Sequence, residues 1–319
     1  MRSDTAPGGA TVGCASQNRL DATMDAARIL SVSDGMPEVR ESLVDEIMVP
    51  IADRFQDRPL RDVAPTAADL DHLKGHGPWG YALDLYPGVS GANLDRQATV
   101  VDFTAESREA LSIRMSLLDK ALAEFAPVGS LLDLQTGCGL IPMKLAARIG
   151  GRIVGIDRRG EAIRRATVLR ALAGCARFGF KTADPYAYLA ALKPDTFDCI
   201  SALGLFHRLS DPIRLLRLIH EKTARLVLID TAIHNLPVPG WIPTEPRVGA
   251  PDAPEAGGET TVALGLQPTY RGMIDSLYRV GFESVTEIVP APSLLAAVAQ
   301  QTPYHTHRRA LFVAQKGIG

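Results

Sequence analysis

Apolar Val39, Leu43, Ile47 and Ile51 fall on every fourth residue after Pro37, the stripe of an amphipathic helix with proline in its first turn. Thr66 as cap, Asp69 three positions on and Gly75 as stop mark a second helix. A third opens at Thr104 and sets Leu111, Met115, Leu118, Leu122 and Phe125 on one face before Pro127 ends it. That face is expected to cover whatever follows. From Ser130 the pattern changes to short β-rich runs at 130–134, 152–156, 176–180, 197–202 and 225–230, alternating with helical stretches at 140–149, 160–173, 211–223 and 269–280. Alternation of this kind builds a parallel sheet with crossover helices. Glu283 to Val289 and Arg309 to Ala314 add two strands, read as an antiparallel edge pair. The expected fold class is therefore α/β, a doubly wound, seven-stranded, mostly parallel sheet with an N-terminal helical cap. Its expected divisions are a flexible arm over 1–35, the cap over 36–127 and the α/β domain over 128–319. The stretch 233–267, dense in Pro and Gly, is expected to be a lid inserted after the fifth strand.

Composition narrows the class without naming it. The chain has 319 residues, 46% hydrophobic and 22% charged, which excludes disordered, coiled-coil and collagen-like classes. With 34 Lys and Arg against 36 Asp and Glu, no basic field favours nucleic acid as a partner. No apolar run reaches the roughly 18 residues of a membrane helix, and the opening residues lack the apolar stretch of a secretory signal, so a cytoplasmic location away from membranes is expected. Cys14, Cys138, Cys175 and Cys199 form no C-x-x-C pair, so no zinc site or disulfide framework is expected.

Chemistry gathers at the strand ends. The first strand of the α/β domain carries Asp133 and runs into Gln135-Thr-Gly-Cys-Gly139, so Gly137 and Gly139 stand at a turn where backbone can approach a ligand. The next strand ends in Asp157, where a carboxylate can accept both hydroxyls of a ribose. Asp184 follows the third strand, placed to accept the amino proton of an adenine. Either acid alone is read equally well as the cap of its following helix.

Leu131-Leu-Asp-Leu-Gln-Thr-Gly-Cys-Gly139, Gly155-Ile-Asp157 and Phe197-Asp198 resemble motifs of class I S-adenosylmethionine-dependent methyltransferases, over residues 128–315. The resemblance implies a Rossmann-like fold and S-adenosyl-L-methionine as cofactor, its amino-acid end passing the glycine loop, its ribose on Asp157 and its adenine at Asp184. Asp133, Gln135, Gly137, Gly139, Arg158 and Leu203 complete the implied cofactor set. Gln135 departs from the pattern: the family has a glycine there, and a side chain at that place either turns away or touches the cofactor. A nicotinamide enzyme would show G-x-G-x-x-G, which is absent.

Ser201-Ala-Leu-Gly-Leu-Phe-His-Arg-Leu-Ser-Asp-Pro212, with Gly77-Pro-Trp-Gly-Tyr-Ala-Leu-Asp84 before it, is similar to the branch containing the tRNA wobble-uridine carboxymethyltransferase. That likeness implies that Phe206 and His207 edge the active site and that Arg308 or Arg309 reaches it. Phe206 stands where the branch has tyrosine, and the balanced charge does not support binding of transfer RNA. His207 is read either as a general base or as a hydrogen-bond partner of nearby backbone. Tyr81 and Tyr86 hold a sulfonium through their ring faces, or pack the cap. Trp241 is a lid aromatic or an anchor for its loop. Tyr304 and Arg308 join the substrate side, and His305 and His307 without a carboxylate partner do not make a metal site.

The expected function is methyl transfer to a small molecule, by positioning in a dry cavity. Three rivals stand beside it. One is a cyclase that consumes the cofactor, releases methylthioadenosine and forms a small ring such as azetidine-2-carboxylate; another is a tRNA-modifying transferase; the third is a degenerate scaffold subunit. The sequence leaves acceptor and oligomeric state open.

Overall fold

A computed structural model of the chain describes residues 66–75, 84–86, 89–90, 105–173, 177–244, 265–296 and 302–317. The expected arm, the helix after Pro37 and Tyr81 lie outside the described residues. Elements are numbered among those described.

Two stretches of the expected cap are described as helix: α1, Ala67–Gly75, and α2, Ala105–Glu124. Between them Asp84–Tyr86 (β1) pairs antiparallel with Val89–Ser90 (β2). The α/β domain then follows with β3 Leu131–Asp133, α3 Leu140–Leu145, β4 Ile153–Asp157, α4 Gly160–Ala173, β5 Phe178–Thr182, α5 Pro185–Ala190 and β6 Phe197–Leu203. Next come α6 Pro212–Lys222, β7 Thr223–Ala232, β8 Trp241–Thr244, β9 Gly265–Pro268, α7 Tyr270–Val280, β10 Ser284–Ile288, α8 Pro292–Ala296 and β11 Arg309–Gln315.

Seven strands form one sheet in the order β10-β11-β7-β6-β3-β4-β5. The five from β7 to β5 are parallel; β11 lies antiparallel to β7, with Leu311 opposite Asp230, and β10 antiparallel to β11. The central strands read as nearly continuous apolar runs because both faces are covered. On one face Leu131, Ile153, Cys199, Leu226, Leu228, Leu311 and Val313 meet Ile113, Leu117 and Leu118 of α2 and Ile141 and Leu145 of α3. On the other, Leu132, Ile200, Val227, Ile229 and Phe312 meet Leu215 and Ile219 of α6 and Met273 and Leu277 of α7. The apolar face of α2 thus covers the sheet, as its sequence pattern requires.

Three local expectations change. The helix expected over 140–149 ends at Leu145 and tightens into a 3₁₀ turn, Ala146–Arg148. A helix given no range by the sequence pattern, α5, starts at Pro185 because Asp184 caps it, accepting from the Ala187 N–H at 3.0 Å. The 233–267 stretch is structured at both ends: β8 pairs antiparallel with β9, and Leu266 N–H donates to Leu209 C=O at 2.8 Å. Residues 245–264 of that stretch lie outside the described residues.

Candidate active site

The carboxy ends of β3, β4, β5 and β6 meet at one edge, on either side of the point where the strand order reverses. Asp133, at the end of β3, is buried and accepts from Ser201 Oγ at 2.9 Å. Burial raises its carboxyl to about 6, against hydrogen bonds from Ser201, Thr136 and the Gln135 N–H that favour the charged form; the nearby charge of Asp157 adds to the rise. The loop that follows is pinned by Leu134 N–H on Ser201 C=O and Thr136 N–H on Ile156 C=O, each at 2.9 Å.

Two glycines shape this loop. Gly139 has φ +79°, and a Cβ there would stand 2.7 Å from Phe180 Cζ, so only glycine closes the turn onto β5. Gly137 has φ +54°, and a Cβ there would face open space. Its N–H donates to Asp157 Oδ2 at 3.0 Å.

Asp157 is thus tied to the loop as well as facing the edge. Its Oδ1 accepts from Arg159 N–H at 2.9 Å and Nε at 3.1 Å, and Oδ2 accepts from Nη2 at 3.1 Å. Arg159 is a site residue that the sequence reading missed. Arg158, expected to touch the cofactor, forms an ion pair with Asp184. The helix-cap reading of Asp184 is therefore realised, together with a charge partner on the neighbouring turn.

The other half of the edge belongs to β6, β7 and β11. Leu203 is buried at the end of β6, and Gly204, φ +80°, donates its N–H to Asp230 C=O at 2.7 Å. A Cβ at Gly204 would stand 3.3 Å from Arg309 Nη2. Asp230, 0% exposed, accepts from Arg309 Nε at 2.6 Å and Tyr304 OH at 2.5 Å, with Arg114 Nε of α2 at 3.1 Å. These guanidinium groups hold the Asp230 carboxyl below the ordinary carboxylate range despite burial, and burial beside Asp230 raises the Tyr304 phenol. None of this cluster except Tyr304 and the alternative Arg309 was expected from sequence. Arg308 is exposed, so the arginine that reaches the edge is Arg309.

His207 and Phe206 lie in a 3₁₀ turn after β6. Phe206 is wholly buried, 6.4 Å between centroids from Trp241, and its ring has no surface to offer a substrate. Trp241 donates Nε1–H to Ser276 Oγ at 3.0 Å, which makes it an anchor onto α7. His207 Nε2 accepts from Arg208 Nε at 3.1 Å, so the ring proton sits on Nδ1, which is buried without a partner. Burial first, then Arg309 and Arg208, lowers this imidazole to about 3. A base so weak does not take a proton near neutrality; the neutral ring is a donor through Nδ1, and its backbone-partner reading is not realised at Nδ1. Tyr86 lies in β1. Among the described residues no three His, Cys, Asp or Glu side chains gather as a metal site, and no helix is long and apolar enough to cross a membrane.

The edge fits an adenosyl cofactor on its own geometry. A carboxylate stands at the end of the strand beside the loop, Gly137 borders free space, and the Gln135 Oε1 is buried with no donor. Residues 103–244 match the model of a methyltransferase domain. No curated protein sequence matches the chain. The N-terminal domain of EvdMO1, solved in the presence of S-adenosylhomocysteine and D-fucose, is 16% identical, covers 78% of this chain and 95% of that one, and superposes with a TM-score of 0.53. The [4+2]-cyclase SpnF is 17% identical, covering 65% and 82% of the two chains, at 0.45. A Listeria monocytogenes protein described as a S-adenosylmethionine-dependent methyltransferase is 16% identical, covering 64% and 99%, at 0.47. Residues 103–244 thus carry a match to a methyltransferase domain, on a sheet whose strand order brings the Asp133–Gly139 loop and Asp157 to one edge. Asp157 and the 134–139 loop are the residues that would hold an adenosyl cofactor at this edge.

Proposed function

We propose that the chain transfers a methyl group from S-adenosylmethionine to a small-molecule acceptor. The observation that carries this reading is the wall made by the ends of β6 and β7. Its groups are fixed and unreactive: His207 is neutral, Asp230 is committed to Arg114, Arg309 and Tyr304, and neither is an exposed nucleophile or a base near pH 7. When bound, the cofactor's sulfonium supplies a methyl carbon that an acceptor lone pair takes, while the bonding electrons stay on sulfur and S-adenosylhomocysteine leaves. The chain's task is to hold and desolvate. Asp157 and the glycine loop orient the ribose, the Asp230 cluster fixes Arg309 against Gly204, and His207 Nδ1–H is a buried donor without a protein partner. We propose Tyr81 and Tyr86, on their residue type alone, as candidate ring-face partners for the sulfonium's positive charge.

The small-molecule class is supported by the near-equal count of acidic and basic residues, which gives no phosphate-binding surplus for RNA. The test is product analysis with and without a pool of small nucleophiles. S-adenosylhomocysteine formed only with acceptor is the expected result. Methylthioadenosine released from cofactor alone would establish the ring-forming rival instead, and a protein that binds no cofactor in calorimetry would establish the scaffold rival.

A further inference from the structure

Tyr304 and Arg309 meet Asp230 from the two ends of one short turn, so whatever holds that turn also positions them. The turn is closed by Arg308 N–H on Pro303 C=O at 2.8 Å and tied to the end of β7 by Ile233 N–H on Arg308 C=O at 2.9 Å. Within it His307 has φ +49°, in the left-handed region that a residue with a Cβ seldom adopts. Such a conformation persists where the surroundings enforce it.

The enforcing contacts come from two other elements. His307 Nε2 lies 3.2 Å from Glu287 Oε1 of β10, and its ring stands 5.4 Å between centroids from Tyr270 of α7, which packs in turn on Phe312 of β11. Glu287 also accepts from the Tyr270 hydroxyl; burial first, then the Glu287 charge, raises that phenol and keeps it protonated. Glu287 and Tyr270 are the titratable groups that β10 and α7 turn toward His307, and Arg308, next in the turn, is exposed. An ionised carboxylate only accepts, so Nε2 carries a hydrogen, and a protonated imidazole makes this bond stronger than a neutral one. The Glu287 side chain is 12% exposed and that of His307 47%, so a carboxylate held largely out of water is paired with a ring that solvent protons reach. The same contact lifts the imidazole above its ordinary 6.5, against burial. Its support for the turn is therefore complete below 6.5 and lost as pH rises through the lifted value.

We propose that Glu287, Tyr270 and His307 form a latch, closed while His307 is protonated, that positions the turn carrying Tyr304 and Arg309 onto Asp230. The β7 and β11 side of the edge is thus held firm in mildly acidic solution and slackens above it. The latch acts on the turn itself and does not depend on which reaction the edge performs.

The test follows His307 by NMR and the turn by hydrogen exchange, on the whole chain. The imidazole should titrate above 6.5 in the wild type and return toward 6.5 in Glu287→Gln. The opening constants of the Arg308 and Ile233 N–H groups, corrected for the intrinsic pH dependence of exchange, should rise about threefold between pH 6 and 8.5, the weight of a partly exposed ion pair. Glu287→Gln and His307→Asn, the second chosen because asparagine tolerates left-handed backbone, should each abolish that rise. A His307 that titrates at or below 6.5, opening constants level with pH in the wild type, or a rise that survives in either variant each overturns the proposal. Should a variant not fold, the wild-type titration and opening constants decide.

Discussion

Asp157 is the residue on which two functions converge. Its carboxylate ties Gly137 of the loop and Arg159 of the following turn, and under the proposed function it would also receive the two ribose hydroxyls of the cofactor. Asp157→Ala removes a charged acceptor whose hydrogen bonds to a ligand are worth about 1.5–3 kcal/mol. Cofactor affinity should fall at least about tenfold in calorimetry, with a lowered melting temperature because Gly137 also loses its acceptor. Unchanged affinity would remove Asp157 from the ribose site. Asp184 differs: its carboxylate is shared between capping α5 and pairing with Arg158, so any adenine contact must be made in addition to both.

At the scale of elements, the Asp230 cluster joins α2 to the sheet's antiparallel edge. Arg114 comes from α2, Asp230 from β7, Arg309 from β11 and Tyr304 from the turn before β11. The Arg114 and Arg309 side chains are 18% and 14% exposed, so a carboxylate shared with both is held largely out of water. Asp230→Ala should cost about 3–5 kcal/mol of stability, read by urea unfolding, because it leaves buried cationic donors without their acceptor. A loss under about 1 kcal/mol would show that the cluster is solvated in solution. None of these contacts was legible in the chain, since residues 114, 230, 304 and 309 share no local pattern. The elements that carry them were legible: the apolar stripe of α2, the five parallel strands and the antiparallel pair all follow from periodicity and turn residues. α5 is legible only through Asp184 as a cap, because its six residues, Pro185–Ala190, are too few to show an apolar stripe. Phe206, expected at the edge of the active site, is wholly buried, and of the two readings of Trp241 the structure shows the anchor. An aromatic after a strand end, such as Phe206, looks alike in sequence whether it faces a cavity or, as here, packs against another aromatic in the core.

Across the whole molecule, two buried groups in the site pull stability in opposite directions as pH changes. Asp133 has a folded-state value raised from 3.8 to about 6, so it favours folding when protonated, and that contribution is lost as pH rises through 6. His207 has a folded-state value lowered from 6.5 to about 3, so below 6.5 the unfolded chain takes a proton the folded chain refuses, and stability falls as pH falls. Between pH 7 and 4.5 each effect amounts to about 2–3 kcal/mol, with opposite sign. His220, lowered by burial, and His307, raised by its hydrogen bond to Glu287, also oppose each other and are more exposed, so they weigh less. The native protein should therefore show a weaker pH dependence from pH 7 to 4.5 than a variant lacking either group. Below about pH 4, Asp230, whose carboxyl is held low by Arg114 and Arg309, adds its own loss. Single substitutions expose the balance. Asp133→Asn should raise stability at pH 7 and make it decline from pH 6.5 downward, with His207 unopposed. His207→Gln should make stability rise as pH falls toward 4.5, with Asp133 unopposed. Urea unfolding of the three proteins at pH 7 and 4.5 measures both slopes. Parallel slopes in the two variants would mean that neither group is buried as the structure places it, and the unreactive wall assigned to His207 would lose its basis.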